Sequence, residues 1–212
     1  TETTVYITQY RKVIVKGEEM YQLVFHLTPF YPEGGGQVGD TGVIISNTET
    51  IEILDTKKEN NLIIHYVKKL PEDYYTKFKA IVSKDRDKIA RNHTATHLLH
   101  HALRTILGKH VEQKGSLVNA DYLRFDFSHY EKISADKIKE IEDFVNALIV
   151  AKIALKEYRS IPISLAEQKG AMMLFGEKYE DVVRMIAFGD SRELCGGIHV
   201  KNTAEIELFK IK

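Results

Sequence analysis

Two pairs of potential metal ligands, far apart in the chain, put the strongest restriction on how it can fold. His93 and His97 stand four apart in Arg91-Asn92-His93-Thr94-Ala95-Thr96-His97-Leu98-Leu99-His100-His101. If that stretch is helical, the two imidazoles share one face, with about 5–6 Å between Cβ atoms. Such spacing lets both close on one metal ion. The only cysteine, Cys195, lies in Leu194-Cys195-Gly196-Gly197-Ile198-His199, again with a histidine four along. Two glycines intervene, so this second pair reads as a loop: Gly-Gly costs backbone entropy and marks a demanded geometry. Two nitrogens from a helix, with a sulfur and a nitrogen from a loop, make a tetrahedral set suited to Zn²⁺. The competing reading is packing. The sequence holds nine histidines, His100 and His101 crowd the same stretch, and a lone cysteine is most often a small buried hydrophobe. A sole thiol with a histidine partner across Gly-Gly is harder to explain that way. A metallopeptidase is disfavoured, because its helix carries a glutamate directly after the first histidine and Thr94 stands there instead.

At 212 residues the chain is expected to form one large or two small domains. No apolar run approaches the roughly 18–20 residues that span a bilayer, so no membrane partner is expected. The start, Thr1-Glu2-Thr3-Thr4, is not a signal peptide. One cysteine excludes an internal disulfide framework and fits a reducing, cytoplasmic location. The missing initiator Met suggests a processed chain or an excised piece. Formal net charge is zero, so a nucleic-acid partner needs a local basic patch. Lys84, Arg86, Lys88, Arg91, Arg104, Lys109 and Lys114 are the candidates for it.

Short β-branched and aromatic runs fill the first seventy residues: 4–7, 12–16, 21–27, 41–45, 51–55 and 61–67. Turn-like stretches, Lys16-Gly17-Glu18-Glu19 and Lys57-Lys58-Glu59-Asn60-Asn61 among them, separate the runs. That pattern predicts a small antiparallel β-barrel or sandwich over residues 1–72. Within it, Gly34-Gly35-Gly36 offers either a phosphate-binding backbone nest or a tight connection between strands; glycine content alone favours the connection. Pro71-Glu72-Asp73 marks a break. Residues 73–212 then read as an α+β unit with an antiparallel sheet packed on helices. It opens on one more strand at 78–82 and a helix over 85–107 closed by Gly108. A hairpin over 110–127 follows, then a helix capped by Ser134 and running to about Ile153. Strands are predicted at 154–159, 182–188 and, at the end, 205–211. Gln113 and Lys114 fall on the first strand of the hairpin.

Several blocks in order resemble the editing domain of alanyl-tRNA synthetase. They are His93-Thr94-Ala95-Thr96-His97-Leu98-Leu99, Gln113-Lys114-Gly115-Ser116-Leu117-Val118, Leu123-Arg124-Phe125-Asp126-Phe127-Ser128-His129 and Cys195-Gly196-Gly197-Ile198-His199-Val200. The loop Tyr31-Pro32-Glu33-Gly34-Gly35-Gly36-Gln37 and the segment Phe175-Gly176-Glu177-Lys178-Tyr179 are similar to the same family. The likeness is looser to freestanding alanyl-tRNA editing proteins and to the editing domain of threonyl-tRNA synthetase. Ile198 stands where the family usually has threonine. The resemblance implies a zinc ion on His93, His97, Cys195 and His199, and hydrolysis of serine or glycine wrongly esterified to the acceptor end of tRNA(Ala). It implies a role for Gln113 in editing and serine recognition, and it makes Gly34, Gly35, Gly36, Lys114 and Arg91 candidate contacts to substrate and tRNA. It also implies a piece that works in cis with an upstream, ATP-using core, edits, and cannot itself attach alanine. A structural-zinc tRNA-binding module without catalysis is the alternative.

Overall fold

A computed structural model describes residues 2–173 and 179–212. Most of the Phe175–Tyr179 segment therefore lies outside the described residues. The chain divides into two compact units, Thr1–Arg86 and Asp87–Lys212.

The first unit is a sheet. Its strands are β1 (Glu2–Val15), β2 (Glu18–Phe25), β3 (Gly42–Ile45), β4 (Thr50–Ile53), β5 (Asp55–Glu59), β6 (Leu62–Val67) and β7 (Lys77–Val82). Among the described residues these seven pair antiparallel in the order β4-β3-β7-β1-β2-β6-β5. The two edge strands β4 and β5 are joined through the single residue Leu54, so the sheet curls enough to bring those two strand ends together. Val5, Leu23, Ile44, Ile51, Ile53 and Phe78 point inward with essentially no exposure. Lys57, Lys58 and Glu59 put charge on the β5 edge, which protects an open edge from pairing with another chain.

Two expectations change here. The runs at 4–7 and 12–16 belong to one long strand, kinked by a bulge between Ile7 and Gln9. The stretch Lys57–Glu59 is not a turn but the end of β5; the turn is Asn60-Asn61, both at positive φ, as two-residue hairpins favour. The glycine loop makes a similar corner. The Gly34 and Gln37 backbones exchange both hydrogen bonds at 3.0 Å, and Gly35 and Gly36 sit between them at φ +59° and +80°. Gly39 is needed for another reason: a Cβ there would lie 2.1 Å from the Thr56 carbonyl oxygen. Buried Asp40 then accepts from the Tyr31 amide at 2.6 Å and pairs with Arg86. Arg86 is thereby occupied as a structural cation.

The second unit is α+β, with an antiparallel sheet packed on helices. It begins with α1 (Asp85–Ile106), whose first residues bridge from the other unit, and continues through the hairpin β8 (Gln113–Val118) and β9 (Leu123–Phe127). Helix α2 (Ala135–Val150) follows, then β10 (Lys156–Pro162), α3 (Ile163–Gln168), β11 (Val182–Phe188) and β12 (Ser191–Leu194). Strands β10, β11 and β12 pair antiparallel in that order. Ser134 caps α2 by accepting from the Lys137 amide at 3.3 Å. Leu98, Ala102 and Leu103 of α1, Ile141 and Val145 of α2, and Ile186 and Phe188 of β11 form one core.

The expected last strand is absent. Thr203–Ile206 is a short 3-10 helix and the residues after it pair with no strand. Side chains of α2 hold this tail instead. The Asn146 amide donates to the Phe209 carbonyl and accepts from the Phe209 amide, each at 2.9 Å, and the Glu142 carboxylate accepts from the Ile211 amide at 2.7 Å.

His65 is a polar group set inside the first unit. It is fully buried, stacked on Phe25, with Nδ1 3.0 Å from the Leu23 carbonyl and Nε2 2.8 Å from the Thr28 hydroxyl. Burial pushes its pKa down to about 4, against the opposing hydrogen bond to Leu23. The folded imidazole is therefore neutral where the unfolded one, near 6.5, takes up a proton. Its contribution to stability is full above pH 6.5 and is lost as pH falls toward 4. The excess unfolding free energy of the wild type over His65→Gln is expected to shrink across that window. Urea unfolding of both proteins at several pH values measures it; a difference independent of pH would refute the assignment.

Candidate metal centre

Helix α1 is buried on all sides over His93–His100, not only along one stripe. Polar residues in such a position must be satisfied internally. His93 and His97, one turn apart, hold their rings 5.2 Å centre to centre, and His199 lies 4.5 Å from each. Cys195 Sγ is 3.5 Å from His93 Nε2 and 3.4 Å from His199 Nε2. One ligand atom from each of the four residues lies within 4.8 Å of the others, and among the described residues this is the only such group. Zn–S and Zn–N bonds of about 2.3 and 2.0–2.1 Å imply tetrahedron edges of about 3.3–3.6 Å. The two sulfur–nitrogen distances match those edges, and the donor set, one thiol and three imidazoles within 4.8 Å of one another, has the chemistry to hold a zinc ion.

The loop that delivers Cys195 is built by the sheet. Strand β12 ends at Leu194 opposite Met185, and the Cys195 amide donates to the Arg184 carbonyl at 3.1 Å as the last rung. The Gly197 amide turns back to Sγ at 3.3 Å. Thr94 completes the arrangement. Its fully buried hydroxyl oxygen accepts from the Val200 amide at 3.2 Å and stands 3.1 Å from His199 Nδ1. When Nδ1–H donates to that oxygen, the lone pair of Nε2 is left facing the sulfur.

Charge is balanced within the cluster. Burial would discharge His97, but Glu193 and Cys195 outweigh it and raise its pKa to about 9. Burial would likewise raise the Cys195 thiol, yet His97, His199 and His93 hold it well below its usual range. These neighbours favour the thiolate, which is the ligand form. Burial and then the neighbouring His97 charge drive His199 down to about 3, so it stays neutral. Glu193 is 7% exposed, with carboxylate oxygens 3.6 Å from His97 Nε2 and 3.4 Å from His100 Nδ1. The His100 contact is too poorly aligned to be a hydrogen bond, and neither His100 nitrogen has such a partner among the described residues.

The four expected ligands therefore come together. Gln113 stands at the head of β8 opposite Phe127, half-buried, and its side chain makes no hydrogen bond among the described residues. Arg91 pairs with Glu207 at 2.8 Å and Lys114 with Glu112 at 2.9 Å, both near the surface. Arg104 donates to the Val111 carbonyl, while Lys84 and Lys109 are exposed. Glu193 and Arg184 were not anticipated, and Thr94 only as a missing glutamate. One signal was available for Arg184: it is the single charge in the apolar run Val182–Phe188.

The Thr94 contact predicts that Thr94→Val weakens zinc binding by about 10–100-fold, as loss of a ligand's hydrogen-bond partner does, and that Thr94→Ser restores most of it. Competition against a chromophoric chelator reads this out; equal affinity in wild type and Thr94→Val would rule it out.

Residues 2–88 match the family model for tRNA synthetases class II (A), and residues 183–212 match that for the threonyl and alanyl tRNA synthetase second additional domain. The alanine–tRNA ligase of Flavobacterium psychrophilum is 59% identical over 222 aligned residues, covering 100% of this chain and 25% of that protein. That of Christiangramia forsetii is 58% identical over 97% of the chain and 24% of its own length. That of Porphyromonas gingivalis is 50% identical over 100% and 24%. The chain spans about a quarter of the length of these curated relatives. With matches that run from its first strand to its last residues, it belongs to the alanine–tRNA ligase family.

Proposed function

We propose that this chain is the editing part of its family's enzyme. It hydrolyses the ester joining serine or glycine to tRNA(Ala), with zinc on His93, His97, Cys195 and His199. The observation that carries this reading is the meeting of those four donors within 4.8 Å, at distances that suit zinc. In the whole enzyme an upstream core would attach alanine using ATP, and this piece would remove its errors in cis, in the cytoplasm. Among the described residues no helix is long and apolar enough to cross a membrane.

The physical need is specific. A site shaped for alanine cannot exclude smaller glycine, and it rejects an added hydroxyl only weakly, so a second, hydrolytic sieve is required. That sieve must accept serine and spare alanine, which size cannot do. A buried polar partner for the hydroxyl can, because alanine would leave it unpaired at a cost of about 1–3 kcal/mol. Gln113, half-buried and unspent, is proposed as that partner. A bound zinc ion supplies a positive charge that polarises the ester carbonyl or holds the substrate's amino group. The ester is already activated, so orientation by the chain's own groups does most of the work. Arg91 and Lys114, whose exposed ion pairs are weak, are proposed to exchange carboxylate for tRNA phosphate, and Gly34, Gly35 and Gly36 to approach the RNA backbone. The same closed donor set is the one feature that favours a structural-zinc tRNA-binding module without catalysis.

Seryl-tRNA(Ala) incubated with the chain should lose its serine. A strong chelator should stop the reaction and added zinc restore it. Gln113→Ala should slow seryl-ester cleavage by about 10-fold or more and erode discrimination against alanyl-tRNA(Ala). Binding of tRNA without any deacylation would leave the non-catalytic module as the correct reading. In either case tRNA affinity should fall steeply with salt, the slope counting the phosphates engaged.

A further inference from the structure

We propose that Arg184 is the positioning residue of the metal centre, clamping the Cys195-Gly196-Gly197 turn in the shape that presents the thiolate. The inference rests on the reading of the four-residue cluster as a zinc site. One guanidinium nitrogen, Nη1, donates to two carbonyls of the turn, Cys195 at 2.9 Å and Gly197 at 2.7 Å. The backbone of the same residue takes the Cys195 amide at 3.1 Å. With both carbonyls drawn to one side, the Gly197 amide faces the other way and reaches Sγ at 3.3 Å. A glycine turn has many conformations available to it; these bonds select the one with carbonyls toward Arg184 and sulfur toward the imidazoles.

The clamp has its own anchor. Arg184 Nε donates to Glu157 Oε1 at 2.7 Å, and Glu157 lies on the adjacent strand β10, opposite Ile186. The Arg184 hydrogen bond, ahead of the burial that opposes it, keeps the Glu157 carboxyl below its usual range. Restraint thus passes from the three-stranded sheet through Glu157 and Arg184 to the cysteine. Arg184 thus acts on the cysteine through its backbone. The geometry uses the planar fork that distinguishes arginine from lysine: two N–H bonds from Nη1 and one from Nε, in one plane and on a rigid frame. A lysine ammonium keeps the charge but cannot hold two carbonyls and the Glu157 carboxylate in that arrangement.

The test uses the full 212-residue chain with cobalt(II) and zinc(II) as probes. Arg184→Lys is expected to lower zinc affinity about 10–100-fold and to alter the cobalt spectrum, with a weaker sulfur-to-cobalt charge-transfer band. Glu157→Gln, which leaves Arg184 in place without its charged anchor, should show the same change in smaller degree. Unfolding measured in excess chelator separates positioning from general stability: the metal-free midpoint of Glu157→Gln should stay near that of wild type. Zinc affinity within twofold of wild type in both variants, with an unaltered cobalt band, overturns the proposal. So does an affinity loss fully matched by metal-free destabilisation. If Arg184→Lys does not fold, Glu157→Gln alone decides on the same readouts. A wild type that binds cobalt tetrahedrally but deacylates nothing removes the hydrolytic reading and leaves the clamp standing; one that binds no metal removes both.

Discussion

The second unit depends on one meeting: a helix at its start and a loop near its far end must share a volume a few ångströms across. Three imidazoles and a thiol brought there without water would each carry a desolvation cost of some kcal/mol if unpaired. They are not unpaired. Sγ lies against two ring nitrogens, His199 reaches the Thr94 hydroxyl, and Glu193 lies beside His97. Helix α1 can be buried all round over His93–His97 because the loop meets His93 and Thr94, and Thr96 donates to the Asn92 carbonyl of its own helix. The same contacts make the loop's conformation a property of the sheet behind it.

The first unit solves a smaller version of the same problem. Its glycine loop is set by two buried polar residues. Asp40 draws in the Tyr31 amide and the Arg86 guanidinium, and His65 takes the Thr28 hydroxyl, which in turn accepts from the Phe30 amide. In both units the buried polar group is where irregular backbone is decided, and the apolar core provides the rigidity against which it acts.

How far the sequence could be read follows from what periodicity records. Runs of β-branched and aromatic residues mark strands, and they located β2, β3, β4, β6 and β7. They are silent on where a backbone finds its hydrogen bonds. Residues 8–12 of β1 are exposed and polar, yet they continue the strand because β2 pairs with them. Asp55–Glu59 is a strand for the same reason. Glu205–Ile211 alternates well, but the Phe209 and Ile211 amides go to side chains and those of Glu205, Glu207 and Leu208 to local turns. The four clustered residues were legible as a group because metal spacing is a short-range rule repeated in two places. Arg184 and Thr94 were not, since their roles exist only once β11, the loop and α1 have been brought together.

The way α2 holds the tail has a consequence for how that end of the unit tolerates change. Asn146 and Glu142 grip peptide groups, which every residue type but proline supplies. Only Phe209 adds a buried side chain, 7% exposed, while Leu208 is 75% exposed. Recognition there is blind to most side-chain identity, as in a receptor that reads the main chain of a bound peptide. Much of the work of keeping the tail in place thus falls on two residues of another element.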